Sequence, residues 1–395
     1  MDAAELAALR LDLINQGVRL GEDLLEAGFG LGLATDDRAG GSEGIDLILP
    51  GARWTNVSVA PGYIRTSPYT LVCADCARLG DREAPSFLLR RAGRPDVTVG
   101  LSDTARFRHA RTRGGVSCGE IGAIHGQWLA VAPFASNPSL ALDRPRRFLG
   151  LPPQRPLTKS RWSVDEVVAC AEAAWELGGA RLVHLEAGHL LADDGGLADL
   201  APYISALKRA LPTLVSVTCL PPTTPGPVLG LYAAGCDAIA YHLLAWDHAA
   251  ATRVAPVRAR FVDASRLRHG LRAAVSCFPR GAVSTDLLVG LEPLADLDPA
   301  ITELTREGVV PNLAIFRPLP GAEDDAPAGE LVSTAPLLAL MDRRRARIRE
   351  SGLWHSRIRG FPRVLSGIDP YLPSGFDRWY GGLRRWLRID RGDAA

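Results

Sequence analysis

From Trp128 onward the chain repeats one pattern, a short and nearly all-apolar run followed by a longer segment with helical spacing. The runs are WLAVAPF (128–134), RLVHLEA (181–187), TLVSVTC (213–219), AIAYHLL (238–244), VSTDLLVGL (283–291) and VPNLAIFRP (310–318). Helical segments follow at 163–178, 197–210, 227–235, 247–277 with a break expected near Pro256, 296–307 and 331–350. Runs without polar alternation are strands buried on both faces, and their alternation with helices specifies a parallel sheet covered by helices. Six such units build either an open doubly wound sheet or a barrel, complete or partial, and the pattern alone does not choose between them. No GxGxxG follows the first strand and no GxxxxGKS or GxxxxGKT occurs, so dinucleotide and P-loop chemistry lose their usual support.

The segment before this repeat reads differently. Residues 4–28 have the spacing of one amphipathic helix, IDLIL and TNVSV are short β-type runs among Gly-rich turns, and the pattern is then irregular to about Gly122. The expected organisation is an α+β extension over 1–120, the barrel-type repeat over 121–350, and an Arg- and Trp-rich tail over 351–395. Lys and Arg total 45 against 44 Asp and Glu, so no global field draws the chain to nucleic acid. The first residues lack a basic leader, and no run approaches the ~20 apolar residues of a membrane span. A cytoplasmic location with reduced thiols is expected, and the odd count of seven cysteines agrees with it.

Several successive βα units, quoted as SVDEVVACAEAAWELGGARLVHLEAGHLL, LAPYISALKRALPTLVSVTCLPPT, LYAAGCDAIAYHLLAWD and GAVSTDLLVGLEPLADLDPAITELTREGVVPNLAIFRPLPG, match in order a known pattern. This stretch, about 163 to 322, resembles the radical S-adenosylmethionine (SAM) superfamily, in particular its biotin-synthase-like branch. The resemblance implies an α/β fold with a (β/α)6 partial TIM barrel, and so selects barrel over open sheet. It also implies SAM as cofactor and, in ordinary members, a [4Fe-4S] cluster held by three cysteines in the loop after the first strand. The corresponding segment here has no cysteine between Cys118 and Cys170. Arg146 and Leu149 stand by eye where the close cysteine pair falls, and neither can ligate iron as a thiolate does. The expectation is a cluster-free member that binds SAM or a related metabolite, as a transferase or lyase using polar chemistry on a small-molecule substrate. Two alternatives stand beside it: a non-catalytic partner of a homologous radical SAM enzyme (or a homo-oligomer), and an enzyme whose cluster has moved to Cys73, Cys76 and Cys118.

Candidate residues follow from strand ends, where barrel sites gather. In EAGH, Glu186 suits an ammonium group and Ala187 and Gly188 allow backbone approach, as the resemblance implies for the SAM amino group; Glu186 as a helix cap or arginine partner is the competing reading. Glu186, His189 and His242 are the catalytic candidates, with Asp247 the carboxylate near His242; a His bonded in the wall is the bland alternative. Only one of Tyr241 and His242 can face the lumen. Thr218 joins the cofactor set, and Arg317 has the fork for a carboxylate. Ser284 and Asp286, opening their strand, are expected near the barrel bottom with structural roles. Cys73 and Cys76 form the single CxxC, which with Cys118 and His109 or His125 makes a zinc or cluster set, or else ordinary thiols. Cys219 is expected to line the pocket.

Overall fold

The computed structural model describes residues 1–26, 44–51, 53–59, 67–74, 86–101, 105–134, 161–187, 192–316 and 332–353. The N-terminal helix Ala3–Gln16 is capped by Asp2, whose side chain accepts from the Ala4 and Glu5 backbone while Glu5 reaches back to the Asp2 N–H. It stops earlier than its periodicity suggests. Gly17 takes φ 69, a left-handed conformation cheap only for glycine, and the chain turns into strand β1 (Arg19–Leu20) before a short helix Glu22–Glu26.

Five more strands follow: β2 (Ile45–Leu49), β3 (Arg53–Val57), β4 (Tyr69–Cys73), β5 (Phe87–Arg91) and β6 (Val97–Leu101). With β1 they form a six-stranded sheet in the order β1-β4-β5-β6-β2-β3, antiparallel apart from β1 with β4. One face packs against the N-terminal helix through Leu6, Leu13, Leu47, Leu71 and Phe87. The last three strands lie in the stretch that reads as irregular. Their alternation is short and partly solvated, as in the burial of YTLVC and FLLRR, so the period of two is faint.

The second sheet holds β7 (Gly122–His125), β8 (Trp128–Val131), β9 (Leu182–Glu186), β10 (Leu214–Thr218), β11 (Ala238–Ala240), β12 (Val283–Val289) and β13 (Val310–Ile315). Its order is sequential, β7 through β13, with β7 antiparallel to β8 and the rest parallel. A doubly wound sheet reverses its order part-way, and this one does not. Right-handed crossovers in a sequential sheet put the helices on one face, so the sheet curls around the other: a partial (β/α)6 barrel with an added antiparallel strand. The crossing helices are Val164–Leu177, Leu197–Ala210, Gly226–Ala233, His248–Val254, Pro256–Ala259, Ala264–Cys277 and Leu294–Arg306, with Thr334–Glu350 after β13. The break at Pro256 lies where the ring removes an amide donor.

Gly270 shows how closely a helix meets the sheet. A Cβ there would stand 2.4 Å from Pro221 and 3.6 Å from the Tyr241 ring, so Tyr241 faces the helices. Alternate residues therefore face inward. The two sheets meet where His125 Nδ1 lies 3.1 Å from Asp46 Oδ2, and the N-terminal helix is joined to the segment before the last described helix where Asn15 Nδ2 donates to the Val332 carbonyl at 2.6 Å.

Candidate functional site

Strand register sorts the inward-facing side chains into levels, because partners across a parallel ladder point the same way. The lowest level holds Trp128, Leu182 and Leu214, and above it lie Ala130, His184, Ser216 and Ala238. His184 Nδ1 sits 2.8 Å from Ser216 Oγ and its ring meets Trp128 edge-on at 5.7 Å, which confirms the shared face. Next come Glu186, Thr218, Ala240 and Ser284 in one row. Above these are His242, Asp286 and Asn312. Beyond them Leu288 and Ala314 are paired across β12 and β13 and cluster with Phe316, Leu244 and Ala255. By alternation the opposite face carries Val183, Leu185, Val215, Val217, Ile239, Tyr241 and Leu313, all of them buried. The polarity is thus inside.

The centre of this interior is a buried pair. His242 Nδ1 lies 2.6 Å from Asp286 Oδ2, with the carboxylate fully enclosed. A carboxylate at that nitrogen holds the ring proton on Nδ1 and leaves Nε2 with the lone pair in the neutral imidazole. His242 Nε2, Thr218 Oγ1 and Ser284 Oγ are buried without a hydrogen-bond partner among the described residues. Each such hydroxyl costs about 1–3 kcal/mol in a closed core, which makes these three atoms, gathered on one inner wall, the candidate ligand contacts.

A local irregularity aims His242. Ala240 pairs with Ser284, but Leu244 bridges Leu287, so β11 has gained one residue on β12 between these points. Ladder bonds confirm it: Tyr241 N–H donates to the Ser284 carbonyl at 3.2 Å and Leu244 N–H, not Leu243, to the Asp286 carbonyl at 2.9 Å. The displaced Leu243 N–H donates to Thr285 Oγ1 at 3.0 Å, and that hydroxyl donates to the Tyr241 carbonyl at 2.6 Å. Leu244 has φ 74, a conformation that costs a branched-chain residue about 1–3 kcal/mol and persists only where its surroundings hold it. Such bulges gather beside active sites, where they redirect a side chain. Arg258, itself buried, donates from a terminal guanidinium nitrogen to the His242 carbonyl and fixes the backbone at this point.

Some expectations need correction. Asp247 is not the partner of His242: its carboxylate caps the helix His248–Val254, accepting from Ala249 and Ala250, while its own N–H donates to Glu292. Asp286, read from sequence as structural, is that partner, because it lies mid-strand at the level of His242. Ser284 is one level below it, not at the barrel bottom. Cys219 belongs to the helix-side core, where burial pushes its thiol well above the ordinary range. Glu186 and Thr218 do share a level, and the Ala187 N–H donates to the Thr218 carbonyl at 2.9 Å. Gly188, His189, Arg317, Cys76, Arg146 and Leu149 lie outside the described residues.

Cys73 and Cys118 lie in different cores. Cys73 ends β4 against the core of the first sheet, its N–H donating to Asp23 at 2.7 Å. Cys118 is buried in the barrel core, with Cys170 Sγ 3.6 Å from its carbonyl. Burial holds the Cys170 thiol well up, in its neutral form. His109 is exposed, and His125 faces Asp46. Among the described residues, which do not include Cys76, no group of three His, Cys, Asp or Glu side chains could hold a metal ion.

No family model and no curated protein matches the chain. Its structural neighbours include radical SAM enzymes. Coproporphyrinogen III oxidase of Escherichia coli, described as one, aligns with TM-score 0.33 and 15% identity over 44% of this chain and 41% of that one. A radical SAM methyltransferase from Sphaerobacter thermophilus aligns with TM-score 0.39 and 14% identity, over 73% of this chain and 77% of that one. Methylornithine synthase aligns with TM-score 0.41 and 11% identity, over 69% and 83%. Among the described residues no helix is long and apolar enough to cross a membrane.

Proposed function

We propose that the barrel is a cluster-free relative of the radical SAM proteins that binds SAM, or a closely related metabolite, at its C-terminal mouth and supports polar chemistry on a small-molecule substrate. The observation that carries this reading is the buried His242–Asp286 pair, opening inward beside Glu186 and Thr218. Glu186 offers a carboxylate for an ammonium group, Thr218 an inward hydroxyl, Ala187 and Gly188 their backbone, and Arg317 a fork for a carboxylate. Bound SAM supplies a carbon made electrophilic by its sulfonium. The chain supplies a base: His242 accepts a proton at Nε2, and Asp286 stabilises the resulting imidazolium through Nδ1. The apolar cluster of Leu288, Ala314 and Phe316 above the pair keeps water from it. With no cysteine between Cys118 and Cys170, electron delivery is not part of the reading.

The test is a calorimetric titration of the purified full chain with SAM. Binding is expected, weakened about tenfold in Glu186→Gln, as for loss of one charge-assisted hydrogen bond worth ~1.4 kcal/mol. Absence of SAM binding, with stable association to a cluster-bearing homologue, would replace this reading by that of a non-catalytic partner. Anaerobic reconstitution with iron and sulfide is expected to leave the protein colourless; a brown product that loses its iron in Cys73→Ala would overturn the cluster-free reading in favour of the displaced site.

A further inference from the structure

We infer that Thr285 is the positioning residue for His242: its hydroxyl holds the β11 bulge in the backbone arrangement that sets the imidazole on Asp286. The inference deepens the proposed function; it rests on His242 being the base, and not on SAM being the ligand. The peptide units on both sides of the His242 Cα meet this one side chain. The Leu243 N–H, taken off the strand ladder by the extra residue, donates to Thr285 Oγ1 at 3.0 Å, and that hydroxyl donates to the Tyr241 carbonyl at 2.6 Å. The second of these peptide units is held again through the His242 carbonyl, which accepts from Arg258.

Fixing both peptide planes fixes φ and ψ of His242, and with them the direction of its Cα–Cβ bond. The ring then reaches Asp286 Oδ2 at 2.6 Å, and Asp286 directly follows Thr285 on β12. Adjacent strand residues point to opposite faces, so one dipeptide holds the histidine backbone with its outer side chain and the imidazole with its inner one. Close packing does not replace this tie. Leu244 carries φ 74, and a cavity of about 30 Å³ adjoins Leu243, Leu244 and Arg258, so the segment is not wedged on every side. A threonine hydroxyl suits the place because it accepts and donates at once, which a valine of the same shape cannot do. Thr285 is fully buried, where a lost hydrogen bond is not made good by bulk water.

The experiment uses the full chain with isotope-labelled histidine. A proton held between an imidazole Nδ1 and a carboxylate gives a far-downfield NMR signal, which Asp286→Asn assigns by its loss. Thr285→Val is expected to lose this signal while circular dichroism still reports a folded chain, and Thr285→Ser, which restores the hydroxyl, is expected to keep it. A wild-type signal in Thr285→Val, or its loss in Thr285→Ser as well, would overturn the positioning role; a wild type without the signal would overturn the pair and the role together. Should Thr285→Val fail to fold, hydrogen exchange in the wild type decides: a Leu243 amide as protected as the laddered Leu244 amide supports the tie, and exchange about a hundredfold faster overturns it. SAM titrated into the same samples separates the two readings. A wild type that shows the signal but does not bind SAM removes only the SAM assignment, and SAM binding with the signal unchanged in Thr285→Val removes only the positioning role.

Discussion

The first sheet ties its buried carboxylates into saturated networks, although Thr55 Oγ1 in β3 is itself buried without a partner among the described residues, whereas the barrel gathers unpartnered polar atoms on one inner wall. Around Asp12, one carboxylate accepts from the Tyr69 hydroxyl at 2.5 Å, from Arg91 at 3.4 Å, from Thr334 at 2.8 Å and from Gln16. Asp46 likewise takes Asn56 at 2.7 Å on one oxygen and faces His125 with the other. In the barrel, Thr218, Ser284 and one nitrogen of His242 are equally hidden, yet each lacks a partner among the described residues. Saturated networks fasten elements together; here they tie the N-terminal helix to its sheet and, through Thr334, to the last described helix. Buried hydroxyls left without partners do nothing for the fold, and their placement on one inner wall is what marks a binding surface.

This contrast can be broken by mutation. The largest effect is expected for Asp12→Ala, which strands a buried phenol, a threonine hydroxyl and an arginine together: a loss of about 3 kcal/mol, read as the shift in urea midpoint. A shift below about 1 kcal/mol would mean the network is ornamental and the contrast false.

Tyr69→Phe should cost less, about 1 kcal/mol at neutral pH for one hydrogen bond. Its signature is in alkali. Burial, reinforced by Asp12, holds the Tyr69 phenol well above its ordinary 10.0, so the folded form keeps a proton that the unfolded chain releases. Stability contributed by the neutral phenol is full below about pH 10 and falls as pH rises beyond it. Urea midpoints measured across this range should fall less steeply in Tyr69→Phe. Some slope will remain, because burial also raises Tyr203 and Tyr241. An unchanged slope would remove Tyr69 from the account.

The smallest change is expected for Thr218→Val, near-isosteric and without the unpartnered hydroxyl: within about 0.5 kcal/mol of wild type, or slightly stabilising. A loss above about 1.5 kcal/mol in the thermal or urea midpoint would show that the hydroxyl is structurally bonded, and would erase the difference between the two regions.

The barrel strands and helices were legible because strands buried on both faces leave unbroken apolar runs, and because local signals bound the helices. Ser163 and Glu166 form a capping box at 163, and Asp194 accepts from Gly196 and Ala198 at the start of the next helix. The first sheet was mostly illegible. Its strands are short, antiparallel and solvated along part of one side, so β4, β5 and β6 lack a pattern strong enough to stand out. The antiparallel β7 was hidden for the same reason. Of the candidate site, His242, Glu186 and Thr218 could be chosen from their positions at strand ends. The partnership of His242 with Asp286 could not, since it joins residues 44 apart in sequence through a bulge. Nearness in sequence favoured Asp247, which spends both carboxylate oxygens on a helix N-terminus.

What the sequence determined by itself is the order of βα units, their boundaries to within a few residues, and the lack of cysteine in the loop after the first barrel strand, because each is written in local periodicity or residue identity. Only the tertiary structure decided which face of each strand looks inward, that polarity is gathered there, and that one extra residue in β11 brings an imidazole onto a carboxylate. Those facts depend on strand register and curvature, which arise when distant segments pair and leave no local trace in the chain.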